Sequence, residues 1–187
     1  MCGIFLVHSK NGTKLSEPKC LNASNDLFNR GPDYLKFDFL RKNTLFILNT
    51  ILSITGKTKK NRKLEKSKSN RYSISFNGEI YNYKSLFIRY LKNIKYKENF
   101  NDTQVLVNLY DVLHKQKIPN LINGMFAYVI FDKYQNKLIL NNDVQGEKNL
   151  YCYNDKNFFI VSSTMDSIIK FLNGHSINKE VKIKIIE

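Results

Sequence analysis

Apolar and polar residues follow one another along this chain in short runs, and the runs predict more strand than helix. Gly3 to His8 is a nearly continuous apolar stretch ended by the turn residues Asn11-Gly12, a strand closed by a turn. Pro18 to Asn29 fits a short helix, with Ser16 as its cap and Leu21, Leu27 and Phe28 as anchors. Leu35 to Leu40 and Thr44 to Ile54 follow as strands, the second almost wholly apolar, which suits a central place in a sheet. Arg71 to Phe76 alternates Tyr72, Ile74 and Phe76 with polar neighbours, the period of a half-buried strand. Tyr83 to Leu91 is a helix. A second begins with Asp102 as its cap and places Val105, Leu106, Leu109, Val112 and Leu113 on one face. Met125 to Asp132 and Lys137 to Asn141 form a hairpin, and Leu150 to Tyr153 and Phe158 to Ser162 flank Asn154-Asp155. Met165 to Leu172 is a last helix before a polar tail. No βαβ alternation repeats, so antiparallel sheets with helices packed outside them are expected.

Composition narrows this picture. A chain of 187 residues with 42% hydrophobic content suits one domain with a real core. No apolar run approaches the ~18–20 residues that span a bilayer, and the N-terminus lacks the layout of a signal peptide, so a cytoplasmic protein is expected. Cys2, Cys20 and Cys152 are odd in number and lack metal-ligand spacing, which suggests neither disulfides nor a metal site. Cys20 and Cys152 are then small buried or half-buried residues.

Net charge is +14, which raises the question of nucleic acid. Half of it sits in residues 57–71, where eight Lys/Arg face one glutamate. This tract is nearly devoid of apolar residues and contains no aromatic for stacking on bases, so it is expected to be a solvated loop, and no nucleic-acid partner is expected. Lysine, asparagine and isoleucine abound throughout, as in a chain encoded by AT-rich DNA.

The chemistry starts at Met1-Cys2. Methionine is normally trimmed before a small side chain, which would leave Cys2 carrying a thiol and a free α-amine. Such an amine has an ordinary pKa near ~8 and can deprotonate the neighbouring thiol without a histidine. Met1-Cys2-Gly3-Ile4-Phe5, Arg30-Gly31-Pro32-Asp33, Asn77-Gly78-Glu79-Ile80-Tyr81-Asn82, Asn101-Asp102, Gly124-Met125-Phe126-Ala127 and Asp143-x-x-Gly146 occur in order. This series resembles the class II glutamine amidotransferase domain that begins asparagine synthetase, over roughly residues 1–172.

The resemblance implies an α+β fold, a four-layer αββα sandwich of two antiparallel sheets of the N-terminal-nucleophile hydrolase kind. It implies that Cys2 attacks the side-chain amide of glutamine, with the Asn77 side chain and the Gly78 N–H as oxyanion donors. It further implies Asp102 as the partner of the substrate's α-ammonium, Leu52, Ile54 and Glu79 beside the substrate, and Arg30 and Asp33 as residues holding a turn near the site. No cofactor or metal is implied within this domain. ATP and magnesium belong to a synthetase domain that this chain lacks and a separate synthetase chain could supply. Residues 1–187 are thus expected to be one amidotransferase domain, cut short at its C-terminal end.

The chain departs from the pattern in places. Where the family has an arginine for the substrate's α-carboxylate, this chain has Ile51, and isoleucine cannot replace a guanidinium. Asn142, Asn149 and Thr164 replace an arginine, a proline and a glutamate of the family. Two readings follow: a glutamine-hydrolysing domain, or a weak or inactive relative that assists or regulates a separate synthetase.

Overall fold

The computed structural model describes residues 1–53, 62–92, 100–172 and the backbone of 183–185. In chain order it contains β1 (Gly3–Ser9), α1 (Glu17–Ala23), β2 (Tyr34–Leu40), β3 (Leu45–Ile51), β4 (Glu65–Lys66) and β5 (Tyr72–Ile80). Then come α2 (Tyr83–Leu86), α3 (Asp102–Val112), β6 (Gly124–Asp132), β7 (Lys137–Asn142), β8 (Tyr151–Asn154), β9 (Phe158–Ser162), α4 (Met165–Leu172) and β10 (Ile183–Ile185).

The strands form two antiparallel sheets, one in the order β10-β8-β9-β1-β3-β2 and the other in the order β4-β5-β6-β7. The apolar residues sort into three clusters, and these define four layers. Phe5, Val7, Phe46 and Leu48 of the six-stranded sheet pack with Cys20, Ala23, Ile168 and Phe171 of α1 and α4. Tyr72, Ile74, Phe76 and Tyr128 of the four-stranded sheet pack with Val105, Leu106 and Leu109 of α3. Ile4, Leu6, Ile47, Ala127, Val129 and Val161 fill the space between the sheets. The chain is an α+β protein with an αββα layering, as expected: alternating residues on β1, β3, β5 and β6 bury both faces of each sheet.

Several elements differ from what the sequence predicts. The helix from Pro18 to Asn29 breaks at Ser24, whose hydroxyl donates to the carbonyls of Cys20 and Leu21. Such a side chain competes for the bonds that would continue a helix, and residues Asn25–Asn29 follow as a 3₁₀ turn. Ser16 occupies the cap position without a side-chain bond. The helix from Tyr83 changes to wide π turns over Phe87–Leu91, which lets Leu86 and Leu91, five residues apart, both enter the core. In α3 the cap is Asn101 and not Asp102: the Asn101 side chain accepts from Gln104 N–H at 2.9 Å. Val112, expected on the buried face, is 47% exposed, and Tyr110 is buried instead.

The basic tract also needs correcting. Residues 57–61 lie outside the described residues, as does the strand end at Ile54. The remainder, 62–71, is no bare solvated loop. Arg62 C=O accepts from Phe37 N–H at 2.8 Å, Leu64 is buried between the sheets, and Glu65–Lys66 pair with Ile74 and Ser73. Its lysines face water while its backbone joins an edge of each sheet.

Candidate active site

Cys2 precedes β1 by one residue, at the end of the six-stranded sheet that faces β5. Two side chains hold the backbone here: Arg30 donates to Cys2 C=O at 3.3 Å, and Asn49 donates to Gly3 C=O at 2.9 Å. The Arg30-Gly31-Pro32-Asp33 turn clamps the end of β3. A Cβ at Gly31 would stand 2.5 Å from Ile51 N, so only glycine allows this approach. Asp33 N–H donates to Ile51 C=O, and its carboxylate accepts from Ser53 N–H at 2.7 Å. This puts the Leu52 backbone N–H against the Cys2 sulfur. Burial pushes the Cys2 thiol above its ordinary value, outweighing the Leu52 hydrogen bond and the N-terminal ammonium, which favour the thiolate. A base beside the sulfur is therefore needed for attack at neutral pH.

Asn77 and Gly78 lie in β5. The strand continues because Gly78, at φ 144°, lets β6 come close: a Cβ there would stand 2.0 Å from Met125 O. Gly78 lies opposite Phe126, which spends its own N–H and C=O on Asp143, on its other side. The two are therefore a non-hydrogen-bonded pair, and the Gly78 N–H points away from β6. On that side, among the described residues, β4 reaches only Ser73 and Ile74. Asn77 is 1% exposed, and neither its Oδ1 nor its Nδ2 has a hydrogen-bond partner among the described residues. A buried amide left unpaired is costly and rare.

Both residues line a cavity of about 180 Å³ together with Met1, Cys2, Ile51 and Asp102. Asp102, the first residue of α3, turns its carboxylate to Ile80 N–H at 3.1 Å and Thr103 N–H at 2.7 Å. Burial nevertheless raises its pKa, against those bonds and with help from Glu79. Leu52 and Glu79 border the same cavity. Ile54 lies outside the described residues. The structure thus brings Cys2, Asn77, Gly78, Asp102, Leu52 and Glu79 to one cavity, with Arg30 and Asp33 behind it.

Three polar residues escaped the sequence reading. Asn49, one of two polar residues in an otherwise apolar strand, ties the two sheets together: its side chain donates to Phe76 C=O at 3.0 Å and accepts from Phe76 N–H at 3.2 Å. Since it also holds Gly3, one amide sets the spacing between the residues next to Cys2 and next to Asn77. Lys36 and Glu65 form an ion pair at 2.5 Å and also line the cavity. Nothing in their sequence context separates them from surface charges. Arg41 and Arg71 bind elsewhere: Arg41 meets His8 and Asn136, and Arg71 meets Asp132. Among the described residues, no three His, Cys, Asp or Glu side chains form a metal-binding group, and no helix is long and apolar enough to cross a membrane. The arrangement suits a thiol attacking a carbonyl, with donors for the oxygen and a carboxylate for a cationic group.

Residues 1–185 match the family profile described as glutamine amidotransferase domain. The chain is 33% identical over 153 residues to a probable asparagine synthetase (glutamine-hydrolysing) of Acanthamoeba polyphaga mimivirus, covering 81% of this chain and 27% of that protein. It is 30% identical to the probable asparagine synthetase (glutamine-hydrolysing) of Schizosaccharomyces pombe, covering 97% of this chain and 34% of that protein. The chain therefore spans about a third or less of these relatives. Among solved structures, glutamine phosphoribosylpyrophosphate amidotransferase of B. subtilis shares the fold, with a TM-score of 0.69 at 17% identity over 91% of this chain and 43% of the other.

Proposed function

The chain belongs to the glutamine amidotransferase domain family, and from that premise we propose that it hydrolyses the side-chain amide of glutamine at Cys2 and releases ammonia. Loss of Met1 would give Cys2 a free α-amine. That amine takes the thiol proton as sulfur attacks the amide carbon, forming a C–S bond and an oxyanion. The Asn77 side chain and the Gly78 N–H donate to this oxygen. Collapse breaks the C–N bond, the amine returns its proton to the nitrogen, and ammonia leaves. Water then cleaves the thioester to glutamate and restores the thiol. Asp102 holds the α-ammonium throughout. The observation that carries the reading is the unpartnered, buried Asn77 amide in the cavity of Cys2. A group that costs stability while empty is matched by an oxygen that arrives with substrate.

A separate synthetase chain, with ATP and magnesium of its own, would take up the ammonia. One observation favours a second reading, a non-hydrolysing relative that binds such a partner: Ile51 lines the cavity and carries no charge for a substrate carboxylate. Labelling tests both. A glutamine-like diazo-ketone should label Cys2 of protein whose intact mass lacks Met1, and ammonia should appear from glutamine. Labelling at Cys20 or Cys152, or an unreactive Cys2 in folded, processed protein, would decide for the second reading.

A further inference from the structure

We propose that Lys36 is the cation that receives the α-carboxylate of the substrate, with Glu65 holding its ammonium in place; this rests on the hydrolase reading above. The side chains of β2 alternate. Leu35, Phe37 and Phe39 pack towards α1 and α4, so Lys36 and Asp38 point the other way, to the space between the sheets. Strand register then decides what Lys36 meets. It lies opposite Asn49, while Tyr34 lies opposite Ile51, so Lys36 and Ile51 are diagonal neighbours on one face. Such neighbours are roughly 7–8 Å apart, a span that a lysine side chain covers.

Lys36 is 1% exposed. Lysine is almost never so buried unless paired, and Glu65 supplies the pair at 2.5 Å. An ammonium has three donors, and among the described residues Glu65 is its one partner, so donors are left for a ligand in the cavity that Lys36 lines. A buried ion pair is weak support for a fold, since packed apolar residues can often replace it without loss. Across the same cavity Asp102 offers a carboxylate. A half-buried carboxylate and a buried ammonium flanking one cavity match an α-amino acid, which carries both opposite charges on one carbon. Lys148 also borders the cavity; its exposed contact, 3.7 Å to the Met1 sulfur, is lost with Met1, so it is the rival cation in the processed protein.

Calorimetric binding to the Cys2→Ser protein tests this, with L-glutamine and L-glutaminamide as ligands. The second keeps the side chain and the α-ammonium but has a neutral amide in place of the carboxylate. Glutamine should bind at least tenfold more tightly. Lys36→Met should bring the two within twofold, with glutaminamide affinity unchanged. Lys36→Met/Glu65→Leu removes the pair without stranding a charge and should do the same. Adding Ile51→Arg to Lys36→Met should restore the preference from the diagonal position. The assignment falls if the preference survives loss of Lys36, if both ligands weaken equally, or if Lys148→Met alone abolishes the preference. Binding of neither ligand, with Cys2 unlabelled in the wild type, would overturn the hydrolase reading and this assignment together.

Discussion

The two ends of the β5–β6 strand pair treat buried polar groups in opposite ways. At one end Asp132, 0% exposed, accepts from Arg71 at 2.9 and 2.8 Å, from Lys115 at 3.3 Å and from the N–H groups of Tyr134 and Gln135. Burial alone would push its carboxyl up, but these donors hold it well below the ordinary carboxylate value. At the other end Asn77 has no partner, the Gly78 N–H points out of the strand pair, and the Asp102 carboxyl is raised. The same strands and the same core thus support one saturated polar site and one open one. Saturation is what stability requires. The open end has polar groups aimed at a cavity, which is what binding requires.

This contrast can be broken most sharply at Cys2. Cys2→Ala should abolish ammonia release from glutamine and leave the melting temperature unchanged, because the side chain is only half-buried. Residual activity near the wild-type level would remove Cys2 from the mechanism. Next comes Asn77→Ala. Loss of one oxyanion donor typically costs about 10²–10³ in kcat, and KM should hardly move. Since the Asn77 amide satisfies no other group, the melting temperature should not fall. A variant that melts early and turns over normally would make Asn77 structural.

Asp132→Ala should do the reverse. Losing several charge-assisted bonds at a buried site should lower the melting temperature on the order of 5–10 °C, with kcat/KM of the folded protein within about twofold. The sign of the pH dependence follows from its depressed pKa. The contribution is fully present above the unfolded value near ~4 and is lost as pH falls below it, so the gap between wild type and variant should close in acid. At Asp102 the raised pKa runs the other way: the carboxylate proposed to hold the α-ammonium is lost at a pH above its ordinary 3.8. KM for glutamine should therefore rise on acidification before the fold weakens. An acid limb in kcat with constant KM would separate Asp102 from substrate binding.

The smallest effect belongs to the lysines of the basic tract. Lys66→Ser should cost little, since that side chain is exposed. Leu64→Ser should cost far more, because Leu64 is buried between the sheets. Equal effects would return 62–71 to a bare loop.

Much of the fold was legible in the chain because burial imposes period 2 on strands. Tyr72, Ile74 and Phe76, and the apolar run of β3, marked their sheets without help from tertiary context. Helix details were less legible. Ser24 and the wide turn at Phe87–Leu91 are settled by local hydrogen bonds and by which side chains reach the core, and periodicity averages over both. Asn101 and Asp102 are both good cap residues by type, and only the position of Ile80 N–H assigns Asp102 its other task.

The sequence by itself offered Cys2, Asn77, Gly78 and Asp102 as candidate site residues and, through the family its motifs resemble, the αββα class, because those motifs are residues adjacent in the chain. It also showed that Ile51 carries no charge. Only the tertiary structure decided what stands beside Ile51. Lys36 reaches that place through the register of β2 on β3, and Glu65 through the crossing of residues 62–66 between the sheets. A register is a relation between distant segments, and a lysine at the surface or in a cavity is the same letter in the chain. Asn49 belongs with them: a polar residue in a mostly apolar strand, whose role appears only when the second sheet brings Phe76 to it.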